Sequence, residues 1–184
     1  MIITAALAGC GSRADVAAGS GNEEASVPVE SSESAAPAAG DDAALTQAQA
    51  WLDAANLPPS AVRTETPPSS FNSYTGWPCG PYEQLKGYWV IPNTTVVDAA
   101  NWLIENPTAD LMTTSIGPAS EEWGPVDSAI VGYIPASEAQ EGIVYTLAKA
   151  DGGVAVRAEV AAQTDTATCP PLLDGGTYGA PGQG

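Results

Sequence analysis

"GIVYTLAKADGGVAVRAEVAAQ", residues 142–163, holds two strand-like runs, 142–150 and 153–163, separated by a turn. Both runs are rich in valine and other residues that suit a pleated surface. Between them "ADGG" (150–153) is a hairpin signal, because Asp-Gly supplies the positive φ angles that a tight turn needs. Strands joined by so short a turn pair antiparallel.

Outward from this hairpin, "SAIVGYI" (128–134) and "DLMTTSI" (110–116) read as further strands. "NTTVVDAANWLIEN" (93–106) has helical spacing, with Asn93 or Thr94 as cap and Pro107 as stop. Val96, Val97, Ala100, Leu103 and Ile104 form its apolar face. Trp102 falls off that face and is expected to touch another element, such as the N-terminal helix or the long loop, or to sit exposed. "YWVI" (88–91) reads as a strand ended by Pro92, after a loop over 67–87 that is dense in Pro, Gly and aromatics. A short strand is expected in "SAVRTET" (60–66). A first helix is expected in "ALTQAQAWLDAANL" (44–57), with Leu45, Ala48, Trp51, Leu52 and Ala55 as its stripe. The sum is an α+β domain over 44–170: a mostly antiparallel sheet of about five or six strands with one or two packed helices. Residues 171–184 read as a flexible tail. The Trp-Leu helix, proline and Thr-rich strand of 50–70 recur faintly in 101–120, a short match of common residues that chance explains better than duplication.

Charge narrows the function. Twenty-two acidic residues oppose five basic ones, Arg13, Arg63, Lys86, Lys149 and Arg157. Five scattered cations cannot displace counterions from phosphates, so nucleic acid is not an expected partner. The chain has no histidine, which removes the commonest general base and metal ligand. No nucleotide-binding, zinc or calcium spacing occurs, so neither cofactor nor metal is expected. Acidic neighbours such as Glu121, Glu122 and Asp127, or Glu138 and Glu141, offer the paired carboxylates a glycosidase uses, yet such pairs arise freely in so acidic a chain.

The cysteines separate by position. "LAGC" (7–10) resembles the bacterial lipobox: Leu7, Ala8 and Gly9 precede the Cys10 that takes the lipid in that family. The resemblance implies cleavage before Cys10, a diacylglyceryl group on its sulfur, and attachment to the outer side of a cell membrane. Two acyl chains make a durable anchor where one does not. Residues 1–9 then form a partial signal peptide whose basic start would lie upstream. The stretch 10–43, built from Ser, Ala, Gly, Pro and acids, is expected to be a disordered linker. Export would leave Cys79 and Cys169 as an even pair in an oxidising space, a natural disulfide. A reactive thiol is the alternative, but neither has a histidine or a C-x-x-C partner to activate it.

Phe71, Tyr74, Trp77, Tyr82, Tyr88 and Trp89 crowd around Cys79. They read either as a platform for a sugar ring or protein partner, or as a loop pinned down by its own rings. Trp77, Tyr82 and Trp102 are the candidate binding residues. From "GYWVIP" through "VVDAANWLIENP" to "GGVAVRAEVAAQ" the chain resembles exported actinobacterial proteins of unknown function. That resemblance implies export and carries over no catalytic residue. The expected function is a lipid-anchored envelope protein with a non-catalytic binding or interaction domain, facing an envelope protein or glycan. The alternative is a histidine-free, carboxylate-dependent hydrolase of envelope polysaccharide.

Overall fold

Alternating apolar positions in the two longest strands decide the architecture. The computed structural model describes residues 39–122 and 124–183. Cys10, the partial signal peptide and most of the expected linker lie outside them. Helix α1 (Ala39–Asp53) precedes β1 (Val62–Thr64) and β2 (Gly80–Pro92). Helix α2 (Val96–Glu105) precedes β3 (Met112–Thr113), β4 (Ser128–Ile134), β5 (Gly142–Ala150) and β6 (Gly153–Thr168). The strands form one antiparallel sheet of six in the order β1-β2-β6-β5-β4-β3, an α+β fold as expected.

Side chains alternate across a strand, so β6 presents two chemistries. Val154, Val156, Ala158, Val160 and Ala162 face the helices and join one buried cluster with Trp51, Leu52, Val96, Leu103, Tyr145 and Leu147. Ala155, Arg157, Glu159, Ala161 and Gln163 face the other way. The register carries this division into β2, where Leu85 and Trp89 oppose Val160 and Val156, and Lys86 and Tyr88 oppose Glu159 and Arg157. Gly87 sits on the helix side, and a Cβ there would collide with the Trp89 ring and lie 2.9 Å from Leu52. Its missing side chain is what lets the indole lie across the strand.

Several expectations shift. Helix α1 starts at Ala39 rather than in the mid-forties, with Asp41 and Asp42 in its first turn, where carboxylates favour a helix N-terminus. Its buried stripe is Ala44, Ala48, Trp51 and Leu52, while Leu45 is exposed. Thr95, not Asn93 or Thr94, caps α2, its side chain accepting from the Asp98 N–H. Asn93 instead takes a positive φ and donates its N–H to the Gly152 carbonyl. The first eight residues of β2, 80–87, were expected to be loop, because Pro and Gly mask the alternation there. Their long pairing with β6 overrides that local signal. In the 150–153 turn only Gly152 takes a positive φ.

The C-terminal segment expected to be flexible lies on the sheet. Pro181 is buried, its carbonyl accepts from Thr114 Oγ1 at 3.1 Å, and Gln183 Nε2 donates to the Thr114 carbonyl at 2.9 Å. Gly132 permits the crossing, since a Cβ there would strike the Pro181 carbonyl oxygen. Composition suggested freedom for this Gly-Pro-rich stretch, but hydrogen bonds to Thr114, just past β3, hold its end.

Candidate functional site

The sheet face turned away from the helices is covered by irregular chain, and its polar anchor lies at Arg157 and Glu159. Both are buried, 2% and 1% exposed, and Arg157 Nη2 lies 2.9 Å from Glu159 Oε2. A buried pair is costly to the extent that its remaining donors and acceptors go unsatisfied, and among the described residues Arg157 Nε has no partner. The loop satisfies much of the rest. The N–H and hydroxyl of Thr75 donate to Glu159 Oε2 at 2.9 and 3.0 Å. Lys86 Nζ stands 3.5 Å from Glu159 Oε1. Arg157 donates to the Ser73 carbonyl and, at 3.2 Å, to Thr146 Oγ1. Its guanidinium also lies over the rings of Tyr74 and Phe71, 4.7 and 5.0 Å from their centroids. Phe71 in turn stacks on Tyr88.

Two residues spaced i, i+2 on β6 thus hold the loop from Phe71 to Thr75 against the sheet. A disulfide between Cys79 and Cys169, separated by 90 residues, fixes the loop's far end, as the sequence suggested. Between these anchors Trp77 is buried against Val144 and Ala161.

The loop forms one wall of an open groove of about 580 Å³. Residues 73–78 make that wall, 178–183 make the other, and Ile130, Val144 and Thr146 lie between. Tyr178 is fixed by donating to the Pro170 carbonyl at 2.8 Å, and Gly179 accepts from Gln140 Nε2 at 3.3 Å. Tyr74 is 74% exposed. No carboxylate, amine or guanidinium lines the groove. Among the described residues the indole N–H of Trp77 has no partner but is itself buried, so the polar groups the groove presents come from its other residues. The surface therefore offers aromatic faces and neutral hydrogen-bonding groups.

The three candidate binding residues do not form one surface. Trp77 lines the groove. Tyr82 opposes Gln163 on the same face but further along the long β2–β6 pair, and is 37% exposed. Trp102 packs from α2 onto the buried cluster on the helix side, half-buried, and so lies across the sheet from Trp77. Of the aromatic cluster, Tyr74 and Trp77 border the groove while Trp89 belongs to the helix-side core.

The suggested carboxylates stand elsewhere. Glu141 accepts from the Gln163 N–H at 2.6 Å, and Asp127 pairs with Lys149 at 3.0 Å. Glu121, Glu122 and Glu138 are exposed, and none of the five lines the groove. Among the described residues no group of three or more Cys, Asp or Glu side chains is placed to hold a metal ion. No helix among them is long and apolar enough to cross a membrane.

Sequence reasoning missed the Arg157–Glu159 anchor, although a signal existed. In "VAVRAEVAA" two opposite charges occupy alternate positions of an otherwise apolar strand, so both must lie on one face. The Tyr178 wall left no comparable trace. Comparisons of the chain with models of known protein families, with curated proteins and with solved structures returned no match.

Proposed function

We propose that this chain is a cell-envelope protein, anchored by lipid at Cys10, whose domain is a non-catalytic binding module with its ligand in the groove between 73–78 and 178–183. One observation carries the reading. In a chain with twenty-two acidic residues, this groove is lined by Tyr74, Trp77 and Tyr178 and by uncharged polar groups. Aromatic faces with a few hydrogen-bonding groups and no charge suit a neutral ligand, whether a glycan or a polypeptide backbone. The two anchors beneath the loop support the same reading, because a wall fixed before the ligand arrives does not have to be ordered on binding.

A photo-crosslinking amino acid in place of Tyr178, in the full chain at its native membrane, should yield adducts with an envelope component. The same probe in place of the exposed Glu105 on α2 serves as control. Adducts at 178 no more abundant than at 105 would overturn the groove as the binding site. Intact mass of the membrane-extracted protein tests the anchor separately. Loss of residues 1–9 with a diacylglyceryl increment is the expected result, and an unmodified Cys10 refutes it.

A further inference from the structure

We infer that the open edge of β4 docks an extended polypeptide segment of a partner protein, which adds a seventh strand to the sheet and drops alternate side chains into the groove. The inference rests on the binding reading above and names the class of ligand.

The edge follows from the hydrogen-bond alternation. Lys149 donates its N–H to the Asp127 carbonyl, and Thr114 donates to the Gly132 carbonyl from the opposite side. Backbone groups alternate along an antiparallel strand. The N–H and C=O groups of Ser128 and Ile130 therefore point away from β5. Strand β3 pairs only with Tyr133 and Ile134, beyond which Thr114 reaches Gly132. Among the described residues no hydrogen bond reaches the outward groups of Ser128 and Ile130.

Exposed edges are normally blunted by charge or proline. The sheet's other partly covered edge follows that rule. Strand β1 pairs only with Tyr88–Val90, and the rest of β2 carries Pro81, Glu83 and Lys86. The free part of β4 reads Ser-Ala-Ile-Val, and Ile130 is 39% exposed. This stretch of edge carries neither charge nor proline.

Depressions on both sides of it match the geometry of an added strand. Ile130 borders the groove on one face and, towards α2, a depression of about 320 Å³ lined by Ala100, Ile104, Ile116 and Val131. A strand laid along β4 sends successive side chains to opposite faces, so one set enters each depression. Apolar residues fit the α2 side, and small polar ones fit the groove.

Charge selects the partner. Ile130 also borders a depression of about 700 Å³ that contains Asp127 and Asp151 against Lys149 alone, and the exposed Glu121 and Glu122 precede β4 in the chain. A segment with basic flanks complements this rim. A second copy of the chain, with a formal net charge of −17, would meet like charge.

The test uses a fluorescein-labelled peptide, Lys-Val-Thr-Val-Thr-Val-Lys, titrated into the full chain and followed by anisotropy and amide exchange. It should bind, protect the Ile130 N–H, and bind more weakly with Glu in place of both Lys. Ile130→Pro removes an outward donor without touching the β5 ladder and should weaken binding by about tenfold. If that variant unfolds, Ile130→Lys, a charge on the edge, replaces it with the same expectation. Absence of binding, or equal binding by wild type and edge variant, overturns the inference. So does concentration-dependent dimerisation that Ile130→Pro abolishes, which would assign the edge to a second copy. Adducts at position 178 without peptide binding leave the groove reading standing and remove only the strand; loss of both removes both.

Discussion

The two faces of the sheet are built on different physics. On the helix side, α1 and α2 press regular apolar stripes onto Val154, Val156, Ala158 and Val160, and the stabilisation is burial. On the opposite side, chain without helices or strands of its own lies over the Arg157–Glu159 pair, held by hydrogen bonds to those two side chains, cation–π contacts and a disulfide. Burial is non-directional and spreads over many residues, so damage to the first face is graded with the volume changed and lowers the stability of the whole. The second depends on a few directional links to two buried charges and on one covalent bond, so cutting one should release the loop locally. The groove wall built on the second face is correspondingly dependent on those few links.

Breaking the covalent link should have the largest effect. Replacing Cys79 and Cys169 by serine releases a loop closed across 90 residues, and chain entropy assigns about 4–5 kcal/mol to such a closure. Chemical denaturation of the oxidised protein and the variant measures it. Glu159→Gln follows, at about 3–5 kcal/mol, since it leaves the buried Arg157 without its counter-charge. The sharper readout is local: protease cleavage near Tyr74 should appear while amide protection in α2 persists. Leu103→Ala, at about 2–5 kcal/mol, should do the reverse, lowering stability as a whole without exposing the loop selectively. Gly87→Ala should cost about 1–3 kcal/mol, because the added methyl displaces Trp89 and Leu52. Its near-UV signature should change at tryptophan, while the Arg157 side of the sheet is spared.

The smallest expected effect concerns alkaline pH and belongs to the helix side alone. Tyr133 and Tyr145 are buried edge to face, 5.9 Å between centroids, their hydroxyls bonded to the Leu103 carbonyl and to Thr108. Burial pushes both phenols well above the ordinary tyrosine value of 10. The unfolded chain then releases protons that the folded chain retains, so stability is intact below pH 10 and falls as pH rises beyond it, by the order of 1 kcal/mol near pH 10. Phenolate absorbance from these two residues should appear only together with unfolding. Their ionisation inside a folded protein would contradict the packing.

Periodicity made one face readable. The 128–134 and 142–150 strands fall where their strand-like composition placed them, and the 93–106 helix differs mainly in its cap. Leu45 misled because a helical stripe can be drawn through either side of Ala48, and only the position of the sheet chooses between them. The first part of β2 was hidden because Gly80, Pro81 and Gly87 read locally as turn residues, although pairing with β6 forces them into extended chain. Tyr74 and Trp77 were noticed for their composition, but Tyr178 could not be, since nothing near it in the chain marks that it lines the same groove as residues 73–78.

By itself the sequence indicated the class of fold and the antiparallel hairpin at 150–153, because each depends on local propensity, and it singled out Cys79 and Cys169 as a pair only once Cys10 is set aside. The tertiary structure alone decided strand order, the shared face of Lys86, Arg157 and Glu159, and the docking of 178–183 beside the loop. Those features consist of contacts between segments far apart in the chain, and no local pattern encodes which distant surface a side chain will meet.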